Sequence, residues 1–266
     1  MKFSYVLPDP AEYRDWTEFE GDLACAKQAG CDAVELQIAD PLAFDEQRVR
    51  QALLAAGLPM CAFQTGATYA SRGNCLCTAD EAIRERTEKL LLSFVDLAAR
   101  WNAVIVMGSL QGRFKDEPDR SAGEARIRSA LQRVGEYALA RQAILAFEPV
   151  NHGEISFHTT IAAAAALVRG IDRPSVRLMV DTFHMNIEEQ DMLAPLAGIK
   201  DILAHVHLSE TNRDVLGDGH WDTPGFLAEL RRIGYRGFCS IGVYNTRRSR
   251  RDCMTHCLKL IHGLVK

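Results

Sequence analysis

Short apolar runs alternate with segments of helical periodicity along the whole chain, and this alternation constrains the fold most. Eight runs typical of β-strands alternate with helical patterns, without a break in composition. Such alternation predicts parallel strands joined by crossover helices, and eight units are the number that closes into a barrel. An open doubly wound sheet is the alternative, but no G-x-G-x-x-G motif follows the first run. We therefore predict an α/β protein whose residues 1–266 form one domain, a single (β/α)8 TIM barrel.

Capping signals define the predicted boundaries of the elements. Thr78 and Ser121 are each followed by Glu three residues later, and these capping boxes predict the starts of two long helices. The predicted strands cover residues 2–7, 33–38, 60–64, 103–107, 143–147, 176–180, part of 201–208, and 238–243. The predicted helices cover residues 17–29, 45–56, 78–101, 121–141, 160–168, 224–233 and 252–264.

Composition excludes several classes of protein. Hydrophobic residues make up 47% of the chain and charged residues 25%, which is typical of a globular protein. The net charge of -4 gives no overall attraction to nucleic acid or to an anionic membrane. No apolar segment resembles a signal peptide or a membrane span, so we expect a cytoplasmic protein with its eight cysteines reduced. The spacings of these cysteines lack the paired C-x2-C pattern of a structural zinc site.

Polar residues end three consecutive predicted strands. Glu148, Asp181 and His207 occupy these positions, and active sites of such barrels lie at the carboxyl ends of the strands. Two carboxylates and an imidazole that converge there predict a site for a divalent ion such as Mn2+, Mg2+ or Co2+. For Asp181 the alternative is that its side chain caps the next helix.

The neighbouring polar residues also have two interpretations each. We expect only one of His205 and His207 to point into the barrel, and a buried core histidine is the alternative for either. Arg213 and Arg113 carry guanidinium forks suited to carboxylate, phosphate or vicinal oxygens, so both are predicted to bind substrate. Their alternatives are a surface ion pair for Arg213 and a solvated loop for Arg113.

These motifs resemble those of the sugar isomerase/epimerase superfamily of xylose isomerase-like TIM barrels. The resemblance is specific in residues 148–151 (EPVN), 181–189 (DTFHMNIEE) and 205–213 (HVHLSETNR). The chain is similar to D-tagatose 3-epimerase and, over nearly its whole length, to 5-keto-L-gluconate epimerase. The resemblance implies a metal-dependent isomerase or epimerase of a ketose or keto-sugar acid, and the net charge of -4 argues against a nucleic-acid or membrane partner. The resemblance also allows a homo-oligomer.

The resemblance further implies roles for individual residues. Glu148, Asp181 and His207 would bind the metal, which polarises the ketose carbonyl as a Lewis acid. Glu148 would remove the proton beside the carbonyl. Glu154, His184 and Arg213 would contact the substrate oxygens.

The last strand departs from the family pattern. A glutamate that serves as fourth metal ligand and second base is expected there, but Gly242 occupies its position. We therefore expect weak metal retention and slow or absent epimerisation, and we expect tighter metal binding and a gain of epimerase activity in a Gly242→Glu variant. If epimerisation is nevertheless complete, His152 and His220 are the next candidates for the second base.

Other functions compete with the epimerase. One is a non-catalytic sugar-binding or regulatory barrel that has lost the base. Another is an endonuclease of abasic DNA, against which the net charge of -4 argues. The basic residues 247–251 predict a solvated charge cluster, with a docking surface for an acidic ligand as the alternative.

Overall fold

Eight parallel strands form a closed barrel in the computed structural model, which describes residues 1–265. Each strand pairs with its neighbours in the chain, and the last strand pairs with the first. The predicted (β/α)8 barrel is therefore confirmed. The strands are β1 (Lys2–Pro8), β2 (Ala33–Gln37), β3 (Met60–Gln64), β4 (Val104–Met107), β5 (Ile144–Phe147), β6 (Val176–Asp181), β7 (Leu203–Leu208) and β8 (Phe238–Ile241).

Helices surround this barrel, and three short ones were not predicted. One of them follows β3 and two lie between β6 and β7. Each has too few turns to show a periodic pattern. The helices are α1 (Trp16–Ala29), α2 (Glu46–Ala56), α3 (Ala67–Arg72), α4 (Glu81–Trp101), α5 (Arg120–Ala140), α6 (Ile161–Ile171), α7 (Thr182–Glu188), α8 (Leu196–Ile199), α9 (Thr223–Arg232) and α10 (Arg250–Leu264).

Two long helices begin at other residues than the capping boxes predict. The side chain of Asp80 caps α4 by accepting a hydrogen bond from the backbone N–H of Ile83. The side chain of Asp119 caps α5 in the same way, through the N–H of Ala122. The predictions of Thr78 and Ser121 as N-caps are therefore wrong. An aspartate stood two residues from each predicted cap, and it caps as well as serine or threonine.

The apolar core has two parts with different roles. A large cluster fills the space between the strands and the surrounding helices. A small cluster lies inside the barrel and contains mainly small side chains: Ala33, Cys61, Ala62, Val106, Ala146 and Met179. Because this inner layer is small, polar side chains can occupy the rest of the barrel interior. No helix among residues 1–265 is long and apolar enough to cross a lipid bilayer.

Candidate metal and substrate site

The three polar strand ends meet at the carboxyl face of the barrel. Glu148 directly follows β5, Asp181 ends β6, and His207 lies in β7 opposite Asp181. Nδ1 of His207 is 3.7 Å from Oδ2 of Asp181 and 3.9 Å from Oε1 of Glu148. One ligand atom from each residue lies within 4.8 Å of the others. The group therefore offers two carboxylates and one imidazole nitrogen to a single divalent ion.

Both histidines of β7 point into the barrel, so the expectation that only one would do so is wrong. Residues two positions apart lie on the same face of a strand. Nε2 of His205 and Nε2 of His207 lie 2.8 Å and 2.9 Å from the two carboxylate oxygens of Glu35. Glu35, in β2, is fully buried. Because a carboxylate only accepts hydrogen bonds, Nε2 of His207 donates to it and Nδ1 is turned toward Asp181 and Glu148.

The surroundings shift the pKa values of His205, His207 and Glu35 in different directions. Burial lowers the pKa of His205, which stays neutral. Burial also acts to lower the pKa of His207, but the charge of Glu35 outweighs it and raises that pKa well above 6.5. Glu35 itself is held well below its ordinary pKa: burial raises the value, and the two imidazoles lower it by more. A carboxylate behind a metal-facing imidazole fixes the ring orientation, as around many protein-bound metals.

The carboxyl groups of Glu148 and Asp181 differ in protonation. Burial raises the pKa of Glu148 to about 8. Asp181 keeps its charge, because Arg213 and the neighbouring imidazoles outweigh burial and hold its pKa well below 3.8. Glu148 is thus the carboxyl that can take up a proton near neutral pH, whereas Asp181 remains an anion.

The carboxylate of Asp181 both caps a helix and faces the pocket. Its Oδ1 accepts a hydrogen bond at 2.8 Å from the backbone N–H of Phe183 and so caps α7. Its Oδ2 faces the pocket and lies 3.4 Å from Nη1 of Arg213 and 3.3 Å from Oγ of Ser209. The cap fixes the carboxylate plane, which leaves the second oxygen free for a ligand.

Glycine leaves the space in which Glu148 sits. A Cβ atom at Gly108, just after β4, would lie 2.5 Å from Oε2 of Glu148 and 2.6 Å from Cγ2 of Val150. Real Cβ atoms do not approach neighbours that closely. Any larger residue at position 108 would therefore displace the carboxylate.

The residues that we expect to contact substrate form one connected group beside the metal ligands. Nη2 of Arg213 lies 3.3 Å from Nε2 of His184 and 3.7 Å from Oε1 of Glu154. Asn151 links the other two, since its Nδ2 is 3.0 Å from Oε1 of Glu154 and 2.8 Å from Nδ1 of His184. His184 is buried, and burial lowers its pKa. The structure thus brings Glu154, His184 and Arg213 together, and the Asn151 amide joins the first two.

Three other predicted candidates lie away from the pocket lining. Arg113 donates a hydrogen bond at 2.5 Å from Nε to the backbone carbonyl of Glu154, so it holds the loop rather than facing the cavity. His152 lies against Glu188 at 2.5 Å, and His220 against Oγ1 of Thr211 at 3.0 Å.

A cavity of about 420 Å³ opens above Glu148, Asp181 and His207. Small-molecule sites usually measure about 300–1,000 Å³, so the cavity has room for one small polar ligand. Its lining includes Tyr244, which strand-end reasoning missed because the residue lies beyond the end of β8. The lining residues are Gln37, Gln64, Gly66, Ala67, Ala70, Val106, Gly108, Ser109, Glu148, Val150, Glu154, Asp181, His184, His207, Arg213 and Tyr244.

Tyr244 fills the space beside Gly242. A Cβ atom at Gly242 would lie 2.7 Å from Cε2 and 3.0 Å from the phenol oxygen of Tyr244. A glutamate at position 242 can therefore enter the pocket only if Tyr244 moves out. The gain of activity that we expect for Gly242→Glu depends on that movement.

Three of the four arginines in the basic cluster of residues 247–251 pair with two aspartates of the chain. Arg248 pairs with Asp218 at 2.5 Å, Arg251 pairs with Asp22 at 2.8 Å, and Arg250 also pairs with Asp22. These contacts favour a structural role over a docking surface for an acidic ligand.

Comparison with known proteins gives a consistent result. The profile of a family described as xylose isomerase-like TIM barrel matches residues 23–256. A ketose 3-epimerase from Arthrobacter globiformis is 34% identical over 213 residues, which are 79% of this chain and 72% of that protein. An L-ribulose 3-epimerase from Methylomonas sp. (strain DH-1) is 30% identical over 221 residues, 81% of this chain and 74% of that protein. The crystal structure of a D-allulose 3-epimerase from Methylomonas sp. has a TM-score of 0.87 and 23% identity, and the match covers 99% of this chain and 98% of that one.

Proposed function

Because the chain belongs to the xylose isomerase-like TIM barrel family, we propose that it is a metal-dependent ketose epimerase. Its reaction would invert the carbon beside the carbonyl, which is C3 in the relatives named 3-epimerases. The observation that carries the proposal is the convergence of Glu148, Asp181 and His207 within 4.8 Å in a polar cavity. A keto-sugar acid is the second substrate class, since Arg213 suits a carboxylate as well as vicinal hydroxyls.

We propose Mn2+, Mg2+ or Co2+ as the cofactor, held by Glu148, Asp181 and Nδ1 of His207. Two carboxylate oxygens and one imidazole nitrogen suit these ions better than a soft, thiolate-bound metal. When bound, such an ion supplies Lewis-acid polarisation of the carbonyl and its neighbouring hydroxyl. With only three protein ligands, we expect weak retention of the metal.

The side chains divide the remaining tasks among them. The Glu148 carboxylate, which lines the cavity beside Asp181 and His207, removes the proton beside the carbonyl. Arg213, His184 and Glu154 bind the substrate oxygens and fix their orientation. Asn151 positions Glu154 and His184, and Arg113 positions the loop that carries Glu154. We further expect a cytoplasmic enzyme, with the substrate as a free sugar or sugar acid.

A test combines metal loading with proton exchange. The purified protein, loaded in turn with Mn2+, Mg2+ and Co2+, is incubated with a panel of ketopentoses, ketohexoses and keto-sugar acids in heavy water. We expect at least one compound to lose the NMR signal of its carbon-bound proton beside the carbonyl and to yield its epimer. A panel with no deuterium uptake under any metal would contradict the proposal.

A non-catalytic sugar-binding barrel is the second candidate, and the absence of a carboxylate at Gly242 favours it. The deuterium experiment, together with a thermal-shift measurement, distinguishes the two functions. A binder shifts its thermal midpoint with a sugar, by mass action, but leaves the carbon-bound protons of that sugar in place.

A further inference from the structure

We propose that Tyr244 transfers the proton on the substrate face opposite Glu148, in place of an acid at position 242. The inference rests on the proposed epimerase function. Inversion of a carbon centre requires removal of a proton from one face and its return to the other, so a second proton-transfer group must reach the pocket.

The phenol of Tyr244 occupies the place of a strand-8 side chain. Ser240 points inward, since its Oγ lies 3.1 Å from Nε2 of His205, and Gly242 two residues later lies on the same face. The phenol oxygen lies only 3.0 Å from where a Cβ atom at Gly242 would be. Tyr244 therefore presents its oxygen at the position toward which a side chain of residue 242 would project.

Tyr244 approaches the cavity from a different side than Glu148. The closed barrel separates β5 from β8 by two strands in one direction and by four in the other. Glu148 follows β5 and Tyr244 follows β8, and both line the cavity. A substrate between them would expose different faces to the carboxylate and to the phenol.

Several contacts hold the phenol in place. The backbone N–H groups of Tyr244 and Asn245 both donate to the carbonyl of Arg213, at 3.0 Å and 2.9 Å. The guanidinium carbon of Arg213 lies 4.9 Å from the centre of the tyrosine ring. Nε2 of Gln64 donates to the phenol oxygen at 3.4 Å. Since Gln64 uses an acceptor site of this oxygen, the phenol proton stays available to a ligand in the cavity.

The other proton carriers that line the cavity have other partners, and Glu148, Asp181 and His207 belong to the proposed metal site. Both ring nitrogens of His184 face neighbours, Asn151 and Arg213. Glu154 contacts the same two residues and belongs to the loop after β5, on the side of Glu148. Among the lining side chains on the β8 side of the cavity, Tyr244 is the acid that the structure offers for the second face.

The proposed step balances in protons and electrons. Glu148 takes the proton beside the carbonyl, and the C–H electron pair becomes the double bond of an enediolate. That electron pair then takes the phenol proton of Tyr244 on the other face, which forms the new C–H bond and restores the carbonyl. The products are a protonated Glu148 and a tyrosinate. The cavity that Tyr244 and Glu148 line is open to solvent, so water can return the proton of Tyr244, and Glu148 loses its own to solvent.

The test measures proton exchange on each epimer separately. A Tyr244→Phe variant keeps the ring against Gly242 and Arg213 but lacks the hydroxyl. Tyr137→Phe, whose hydroxyl contacts Asp96 on the barrel exterior, is the matched control. Wild type, both variants and each of the two epimers of an active ketose are incubated with metal in heavy water.

We expect Tyr244→Phe to lower the epimerisation rate by about 100-fold to 10,000-fold, the usual effect of a lost acid or base. Deuterium uptake by the epimer whose proton faces Glu148 should persist, and uptake by the other epimer should fall together with epimerisation. Tyr137→Phe should behave as wild type.

Three results would overturn the inference. They are an unchanged epimerisation rate in Tyr244→Phe, an equal loss of exchange on both epimers, and a wild type that exchanges one epimer without forming the other. The last result would leave proton removal by Glu148 intact. A wild type without any exchange would contradict the proposed function itself.

Discussion

At the scale of single residues, Gly108 determines where the Glu148 carboxylate can lie. A methyl group at position 108 would come within 2.5 Å of Oε2 of Glu148. We expect Gly108→Ala to weaken divalent-metal binding by roughly 10-fold to 100-fold, the usual effect of disturbing the surroundings of a metal ligand. Isothermal titration calorimetry with Mn2+ measures the change.

Gly66→Ala is the control for this prediction. Gly66 lines the same cavity, but a Cβ atom there would meet only Oγ of Ser109, at an ordinary 3.5 Å. Its metal affinity should stay close to that of wild type. Equal losses in the two variants would mean that the close approach to Glu148 is not the cause.

The strand ends predicted that Glu148, Asp181 and His207 would meet, but they did not predict the positions of Glu35 and Tyr244. The convergence of Glu148, Asp181 and His207 could be predicted because each lies at or next to the end of a strand, where barrels place their chemistry. Glu35 was only one polar residue in an apolar run, and its role depends on β7 lying across the barrel interior from β2. Tyr244 lies in the loop beyond β8, and only the space above Gly242 explains its position in the cavity.

At the scale of elements, the caps of the long helices allow a direct test. The Asp119 side chain caps α5 through the N–H of Ala122, whereas Ser121 lies exposed within the first turn. We expect Asp119→Ala to lower the free energy of unfolding by about 1 kcal/mol, the typical value of an N-cap. Urea denaturation of both alanine variants measures it.

Ser121→Ala should leave the stability unchanged or slightly higher, because alanine is the better helix former. A larger loss in Ser121→Ala than in Asp119→Ala would restore the capping box that the sequence suggested. The sequence allows either residue as the N-cap, and the hydrogen bond from the N–H of Ala122 to Asp119 identifies Asp119 as the cap. Element boundaries were otherwise predicted within a few residues, because alternation of apolar runs depends on local pattern alone.

At the scale of the whole molecule, Glu35 joins strands from across the barrel into one buried ion pair. The ionisation of Glu35 and that of His207 set the pH range in which this ion pair stabilises the fold. Burial raises the pKa of Glu35, but the imidazoles lower it by more and hold it well below 4.5. The stabilisation by the Glu35 charge is therefore present above pH 4.5 and is lost as the pH falls further. Burial lowers the pKa of His207, but Glu35 outweighs burial and raises that pKa above 6.5. The stabilisation by the His207 charge is therefore complete below pH 6.5 and is lost as the pH rises.

We therefore expect Glu35→Gln to destabilise the metal-free protein most between pH 4.5 and 6.5. Removal of one partner of a buried ion pair typically costs about 3–5 kcal/mol. Urea denaturation after EDTA treatment, across a series of pH values, measures the difference from wild type.

Glu20→Gln, on the exposed face of α1, is the control and should show no such maximum. A deficit of Glu35→Gln that is independent of pH would show that shape, rather than charge, is what Glu35 contributes.

The ion pair of Glu35 also has a consequence for the order in which the chain is synthesised. Glu35 and His205 are 170 positions apart, so at about 5–20 residues per second the partner follows roughly 10 to 35 s later. Ser240 leaves the ribosome later still, and its hydroxyl then joins His205 to Ser4 at the start of the chain. Until then, a nascent half-barrel carries an unpaired carboxylate that opposes premature collapse of its interior.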